Sequence, residues 1–240
     1  AEAVPAIYPV DTARFLATSK FDFKVEFDRE LSQTDIDVRI NGKSVADVFG
    51  ASPEFIKNEE GKGSAVILRN VSLKPGKYAV TVKDGKEESS ANWDVYGTPS
   101  EASAKNVILL IADGLSMGHR TGARLLSKGV TNGMYNGYLS MDTLPYTGML
   151  GTCSVDSIAA DSANTASAYM TGHKSSVNAI GVYADRTKDP FDDPRQETIA
   201  ELLRRKTNKS IGIVSDAEIE DATPAAVVSH TRLRSEKAAI

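Results

Sequence analysis

Apolar and polar positions alternate along much of the first hundred residues. Phe21-Asp-Phe-Lys-Val-Glu-Phe27 places an apolar side chain at every second position, the mark of a strand with one wet face. Ile36, Val38 and Ile40 alternate likewise and run into Asn41-Gly42, a hairpin signal. Residues 65–68, 77–83 and 93–96 predict three more strands, punctuated by Pro75-Gly76 and Asp84-Gly85. Short strands joined by such turns predict a small β-sandwich, immunoglobulin-like in outline, over residues 1–97. Trp93 reads as its core anchor. The segment holds no His, Cys, Asp or Glu cluster at metal spacing and no nucleophile motif, so it is expected to be dispensable for chemistry.

The pattern changes after the polar, Pro/Gly-marked linker 98–104. Asn106-Val-Ile-Leu-Leu-Ile-Ala112 is a continuous apolar run and predicts a buried parallel strand. Ser210 to Ser215 predicts another. Thr198-Ile-Ala-Glu-Leu-Leu-Arg-Arg-Lys206 predicts an amphipathic helix, with Ile199, Leu202 and Leu203 on one face and a basic end that suits its C-terminus. Small and polar residues 151–160 feed an apolar-periodic segment ending at Thr171-Gly172, which places Ser162 at a helix N-terminus. Pro224 fits the first turn of a later helix, with Thr223 as its N-cap and with His230 and Arg234 further along it. Strands and helices in this alternation predict an α/β domain over 105–240.

Three of these positions carry chemistry. A serine at a helix start meets free backbone N–H groups and the positive end of the helix dipole, a setting that favours a phosphate and an ionised hydroxyl. Taken alone, Asp161-Ser162 is far more often an ordinary cap. Asp113 follows the apolar run at its carboxyl end, where open α/β sheets place ligands. Asp221 and Thr223 present hard oxygens that suit Mg²⁺, although an N-cap explains Thr223 equally well.

Together Asp113-Gly114, Asp161-Ser162-Ala163 and Asp221-Ala-Thr-Pro-Ala-Ala226, followed by Ser229-His-Thr-Arg-Leu-Arg234, resemble the alkaline phosphatase family. The resemblance covers about residues 105–234. It implies an alkaline-phosphatase-like sheet flanked by helices, of which this chain carries the first half. By resemblance, Ser162 is the phosphorylated nucleophile and a metal ligand, and Asp113 bridges two metals. Asp221 and Thr223 belong to a magnesium site, and Arg234, oriented by Asp161, grips the phosphoryl oxygens. Arg232 is the rival, but the register counted from Asp221 favours Arg234. The implied cofactors are two zinc ions and one magnesium ion, and the implied substrate is a phosphate monoester. Metals would offset the repulsion between an attacking oxyanion and a dianionic ester.

Composition narrows the partners. Charged residues make up 25% of the 240 and the net charge is −4, which gives no electrostatic reason to bind nucleic acid. No apolar run approaches the roughly 18 residues that span a membrane. His119, His173 and His230 are not paired as a zinc site and read as helix or packing residues. Cys153, the sole cysteine, reads as a small buried thiol. The chain ends in helix-like sequence and lacks a zinc-ligand set, so the remaining half of the catalytic domain is expected beyond Ile240. A short protein that has lost catalysis is the alternative to such a fragment. Relatives of alkaline phosphatase are usually exported, which makes a periplasmic or secreted protein the natural implication. The sequence leaves open a homodimer. Rival functions are a phosphodiesterase or sulfatase of the same superfamily, or an inactive binding module.

Overall fold

The computed structural model describes residues 5–236. The chain forms two compact units, one of residues up to Glu101 together with those from Cys153 onward, the other spanning Ala102–Thr152.

The first unit opens with nine strands: β1 (Ala6–Tyr8), β2 (Arg14–Leu16), β3 (Phe21–Glu26), β4 (Asp37–Ile40), β5 (Lys43–Ser44), β6 (Glu54–Ile56), β7 (Ala65–Val71), β8 (Gly76–Lys83) and β9 (Glu88–Tyr96). A one-and-a-half-turn helix, α1 (Val45–Phe49), follows β5, capped by Ser44 and closed by left-handed Gly50. The strands make two sheets, β1-β3-β7-β6 and β2-β9-β8-β4-β5. In immunoglobulin lettering the first is A-B-E-D and the second contains G-F-C, so the strand order is that of an immunoglobulin sandwich. The first strand divides between the sheets: β1 pairs antiparallel with β3, and β2 pairs parallel with β9. Phe21, Phe23, Val25, Phe27, Ile40, Val80, Val82 and Trp93 fill the space between the sheets. Trp93 is 1% exposed, and its indole N–H donates to the Pro9 carbonyl at 3.0 Å.

The expected wet face of β3 is not wet. All six residues of the strand are buried. Phe21, Phe23 and Val25 face the sandwich core, while Asp22, Lys24 and Glu26 lie beneath residues 185–195. Lys24 Nζ sits 2.5 Å from Asp185, 2.8 Å from Glu59 and 3.2 Å from Glu26. Arg186 reaches Glu26 and Glu59 at 3.6 and 3.3 Å and donates to the carbonyls of Phe27 and Ser64. Alternation shows that two faces differ in polarity, and a charged face can be covered if its charges find partners.

Backbone pairing continues outward from β3. The Asp22 N–H donates to Arg195 O at 2.8 Å, and Glu197 N–H donates to Lys20 O at 2.8 Å. Residues 194 and 196 then pair with 183 and 181, and Ile180 exchanges hydrogen bonds with Thr231 at 2.8 and 2.9 Å. Three helices complete the unit: α3 (Ser162–Thr171), α4 (Ile199–Lys206) and α5 (Ala222–Ala225). Helix α4 is held by a capping box between Thr198 and Glu201.

The second unit holds α2 (Met117–Lys128) and the small hairpin β10 (Val130–Thr131) with β11 (Met134–Tyr135). Arg120 and Arg124 both grip Asp142, which also accepts from the Leu139 N–H. The Arg124 hydrogen bond above all holds the Asp142 carboxyl well below the usual range.

Two expected strands are absent. Residues 106–112 carry no strand pairing, and Val107 to Leu110 are exposed; residues 210–215 are likewise unpaired, with Val214 fully exposed. Parallel strands exist through hydrogen bonds to neighbours and cover on both faces, and neither segment has a ladder partner among the described residues. The described residues are therefore mixed helix and sheet without the parallel sheet that the apolar runs predict.

Replacing Lys24 by methionine should lower stability by about 3–5 kcal/mol, because it leaves Glu26, Glu59 and Asp185 buried without their shared cation. Urea unfolding reads this; a loss below about 1 kcal/mol would contradict the account. Asp193 gives a pH test. Burial pushes its carboxyl up from 3.8 to about 7, helped by Asp185 and Asp192, while the Asp185 N–H and Arg232 oppose the shift. A raised acid contributes stability that is full below about 3.8 and is lost as pH climbs to about 7. Asp193→Asn mimics the protonated form, so its stability relative to the parent should improve over that window. A gap between the two that does not change with pH would contradict the assignment.

Candidate active site

The site is built where α3 and α5 meet. Asp161 is the N-cap of α3, and left-handed Gly172 closes the ten-residue helix. Ala163 and Ala166 of α3 pack on Ala222, Ala225 and Ala226 with Ile180 between them. Helix separation is set by the side chains at the contact, and alanine lets these two short helices approach closely. That brings Ser162, at the start of α3, beside Asp221, the N-cap of α5.

Arg234 joins them. Its Nη1 donates to Ser162 Oγ at 2.7 Å and to Asp161 Oδ2 at 3.1 Å, and its Nη2 donates to Asp221 Oδ1 at 2.6 Å. Burial opposes the guanidinium charge, but the hydrogen bonds to Asp161 and Asp221 outweigh it and raise the pKa. The Arg234 N–H also donates to Asn178 O at 2.8 Å. Asp161 Oδ1 accepts from the Asn164 and Asn178 N–H groups at 3.3 and 3.2 Å. Asn178 adopts φ +69°, a left-handed conformation that asparagine tolerates. One residue thus holds both the N-cap and the arginine, a role that the sequence signals only by residue type.

The structure brings together Asp161, Ser162, Asp221 and Arg234. Thr223 lies inside α5 and half-buried, one turn from them. Asp113 belongs to the second unit, in the turn after residue 112. The expected helix from Pro224 to Arg234 is four residues long and begins at Ala222, with Asp221 rather than Thr223 as its N-cap. The chain beyond it passes through a turn over residues 226–228 and then pairs at Thr231 with Ile180. This pairing, not helical spacing, delivers Arg234. Arg232 goes elsewhere: it donates to Thr187 O and lies 3.9 and 3.6 Å from Asp185 and Asp193.

Other expectations are corrected. His173 is fully buried, stacked on Phe15 with ring centroids 4.6 Å apart and bonded to Tyr183 Oη at 2.9 Å. Burial lowers its pKa to about 3, so it is a neutral packing residue. His230 lies outside any helix. Cys153 is exposed, with Lys174 Nζ at 2.6 Å from its sulfur, and that hydrogen bond lowers the thiol's pKa.

Asp161, Asp221 and Arg234 sum to one negative charge, so a dianionic ligand needs added positive charge here. Asp221, Thr223 and Ser162 are hard oxygen donors of the kind Mg²⁺ takes. Zinc takes histidine, cysteine or carboxylate ligands, and neither histidine nor cysteine stands at this site. Among the described residues no three His, Cys, Asp or Glu side chains converge on one point, so these residues do not by themselves complete a zinc site.

A serine at a helix N-terminus with a guanidinium on its oxygen defines a chain equipped to meet an anionic ester. The family model for alkaline phosphatase matches residues 104–240, and the chain belongs to that family. It is 34% identical over 137 residues to alkaline phosphatase of Gadus morhua, covering 55% of this chain and 28% of that one. It is 32% identical over 134 residues to the tissue-nonspecific isozyme of Gallus gallus, covering 55% and 26%. A solved mutant of TAB5 alkaline phosphatase with Mg bound is 30% identical, with a TM-score of 0.46, over 55% of this chain and 34% of that one. The chain spans about a quarter of the length of the curated relatives it matches.

The two arginines should separate by what they cost. Arg232→Ala should lower fold stability by about 1–3 kcal/mol, since it removes the donor to Thr187 O and the cation beside buried Asp185 and Asp193. Arg234→Ala, at a partly exposed site, should cost under about 1 kcal/mol. Denaturant midpoints check this, and the reverse order would contradict the placement.

Proposed function

We propose that the chain is the nucleophile-bearing part of an alkaline phosphatase that hydrolyses phosphate monoesters through a phosphoserine. The observation that carries the reading is the Arg234 guanidinium on Ser162 Oγ at the N-terminus of α3. Ser162 Oγ attacks phosphorus, the P–O bond to the serine forms and the bond to the leaving alkoxide breaks. Water then attacks the phosphoserine, releasing phosphate and restoring the hydroxyl. Arg234 binds two phosphoryl oxygens in a fork, and Asp161 keeps its guanidinium in place between turnovers. The N–H groups at the start of α3 add partial positive charge on the same side.

The proposal includes divalent metal. Asp221 and Thr223 would hold Mg²⁺, with Asp113 and Ser162 as further ligands in a site of two zinc ions and one magnesium; bound there, the metals supply the positive charge the site lacks. The described residues furnish only part of a zinc-ligand set. We also propose a sandwich domain over 1–97, a linker over 98–104 and the catalytic part over 105–240, with further ligands beyond Ile240. Export to the periplasm or outside the cell fits this reading. Among the described residues no helix is long and apolar enough to cross a membrane.

In the enzyme containing this chain, Ser162→Ala should abolish the covalent phosphoenzyme and lower the rate by several orders of magnitude. Labelled phosphate trapped on another residue would refute the assignment. Arg234→Ala should weaken inorganic phosphate binding by about 1.5–3 kcal/mol. Rates on a diester or sulfate ester above those on a monoester would replace this reading with another hydrolase of the superfamily.

A further inference from the structure

His230 stands four residues before Arg234 and is absent from the chemistry above. Its ring bridges two acceptors. Nδ1 lies 2.9 Å from the Gly181 carbonyl, and Nε2 lies 3.1 Å from both carboxylate oxygens of Glu201 on α4. A neutral imidazole has one N–H, so either tautomer would turn a ring lone pair toward an oxygen lone pair. Both contacts attract only when both nitrogens carry hydrogen.

The contact is built into the backbone. Gly181 has φ +61°, and a Cβ there would fall 2.6 Å from Ser229 O and 2.7 Å from His230 Nδ1. Only glycine lets the ring reach this carbonyl. On either side of it Ile180 exchanges hydrogen bonds with Thr231, and Gln196 N–H donates to Gly181 O. Ser167 Oγ of α3 accepts from the Gly181 N–H at 2.9 Å, with its own hydrogen shared between Ala163 O at 2.7 Å and Ala179 O at 3.2 Å. The strap 229–234 therefore rests on a segment fixed to α3, and the strap ends on the arginine that touches Ser162.

We propose that His230, clamped between the Gly181 carbonyl and Glu201, is a positioning residue for Arg234: the ring pins the strap to the segment fixed on α3. The inference rests on the reading of Arg234 as the phosphoryl grip. The cleft of about 530 Å³ beside the ring also holds Asp22, Glu197, Lys20, Arg69, Arg195 and Arg205. Two of these cations are already paired, Arg69 with Asp22 and Arg205 with Glu197. Glu201 is the charge in direct contact with the imidazole.

The test uses the enzyme containing this chain and inorganic sulfate, at one pH. Sulfate affinity and amide-exchange protection at Ile180, Thr231 and Arg234 are measured in the parent and in two variants. His230→Phe should lower both roughly tenfold, the scale of one hydrogen bond to a charged group, while protection in the sandwich strands stays at the parent level. Glu201→Gln keeps the volume and the cap of α4, and its amide can still hydrogen-bond the ring, so it should keep both near the parent values. Sulfate affinity and protection of the strap unchanged in His230→Phe would overturn the proposal. If protection behaves as expected but Arg234→Ala leaves sulfate affinity unchanged, the strap stands and the phosphoryl-grip reading falls.

Discussion

The position of Arg234 depends on a ladder of backbone hydrogen bonds that starts in the sandwich. Lys20 and Asp22 pair with residues 195–197, those pair with 181–183, and Ile180 pairs with Thr231. None of these segments is a long strand. Each satisfies N–H and C=O groups that would otherwise be buried unpaired. The sandwich packs a hydrophobic core between two sheets, and the ladder starts from it. The site is its far end. Backbone pairing thus connects the sandwich to the segment that carries Arg234.

Charge follows the same division. Arg232 faces buried Asp185 and Asp193 and serves the seam between sandwich and ladder. Arg234, two residues on, faces Asp161, Asp221 and Ser162. The seam is desolvated, so its ions must pair or take up protons, and Asp193 does the latter by shifting to about 7. The site is partly open and stays one charge short of neutral. That deficit is what an anionic substrate with its metal would have to correct.

The sequence made several elements legible because their signals are local. Period-two alternation and Asn41-Gly42 predicted most of the sandwich strands. Small residues before an apolar-periodic run predicted α3 with Ser162 at its start, and residues 198–206 predicted α4. What was not legible depends on distant partners. The charged face of β3 looked like a solvent face, because alternation cannot distinguish water from a covering segment that carries matching charges. The runs 106–112 and 210–215 looked like parallel strands, but apolar composition cannot supply the neighbours that a parallel strand needs. Arg234 was chosen over Arg232 by motif register, yet the helix assumed to carry it ends after four residues. Cys153, expected buried, is exposed, since a short side chain in an irregular segment gives no period from which burial can be read.

The proposed function gives the phosphoryl grip to Arg234 and not to Arg232. A monoester exposes more anionic oxygens than a diester, so the ratio of monoester to diester hydrolysis measures that grip directly. In the enzyme containing this chain, Arg234→Ala should lower the ratio and Arg232→Ala should leave it unchanged. A ratio that moves with Arg232 and is indifferent to Arg234 would contradict the placement of the strap and the site built on it.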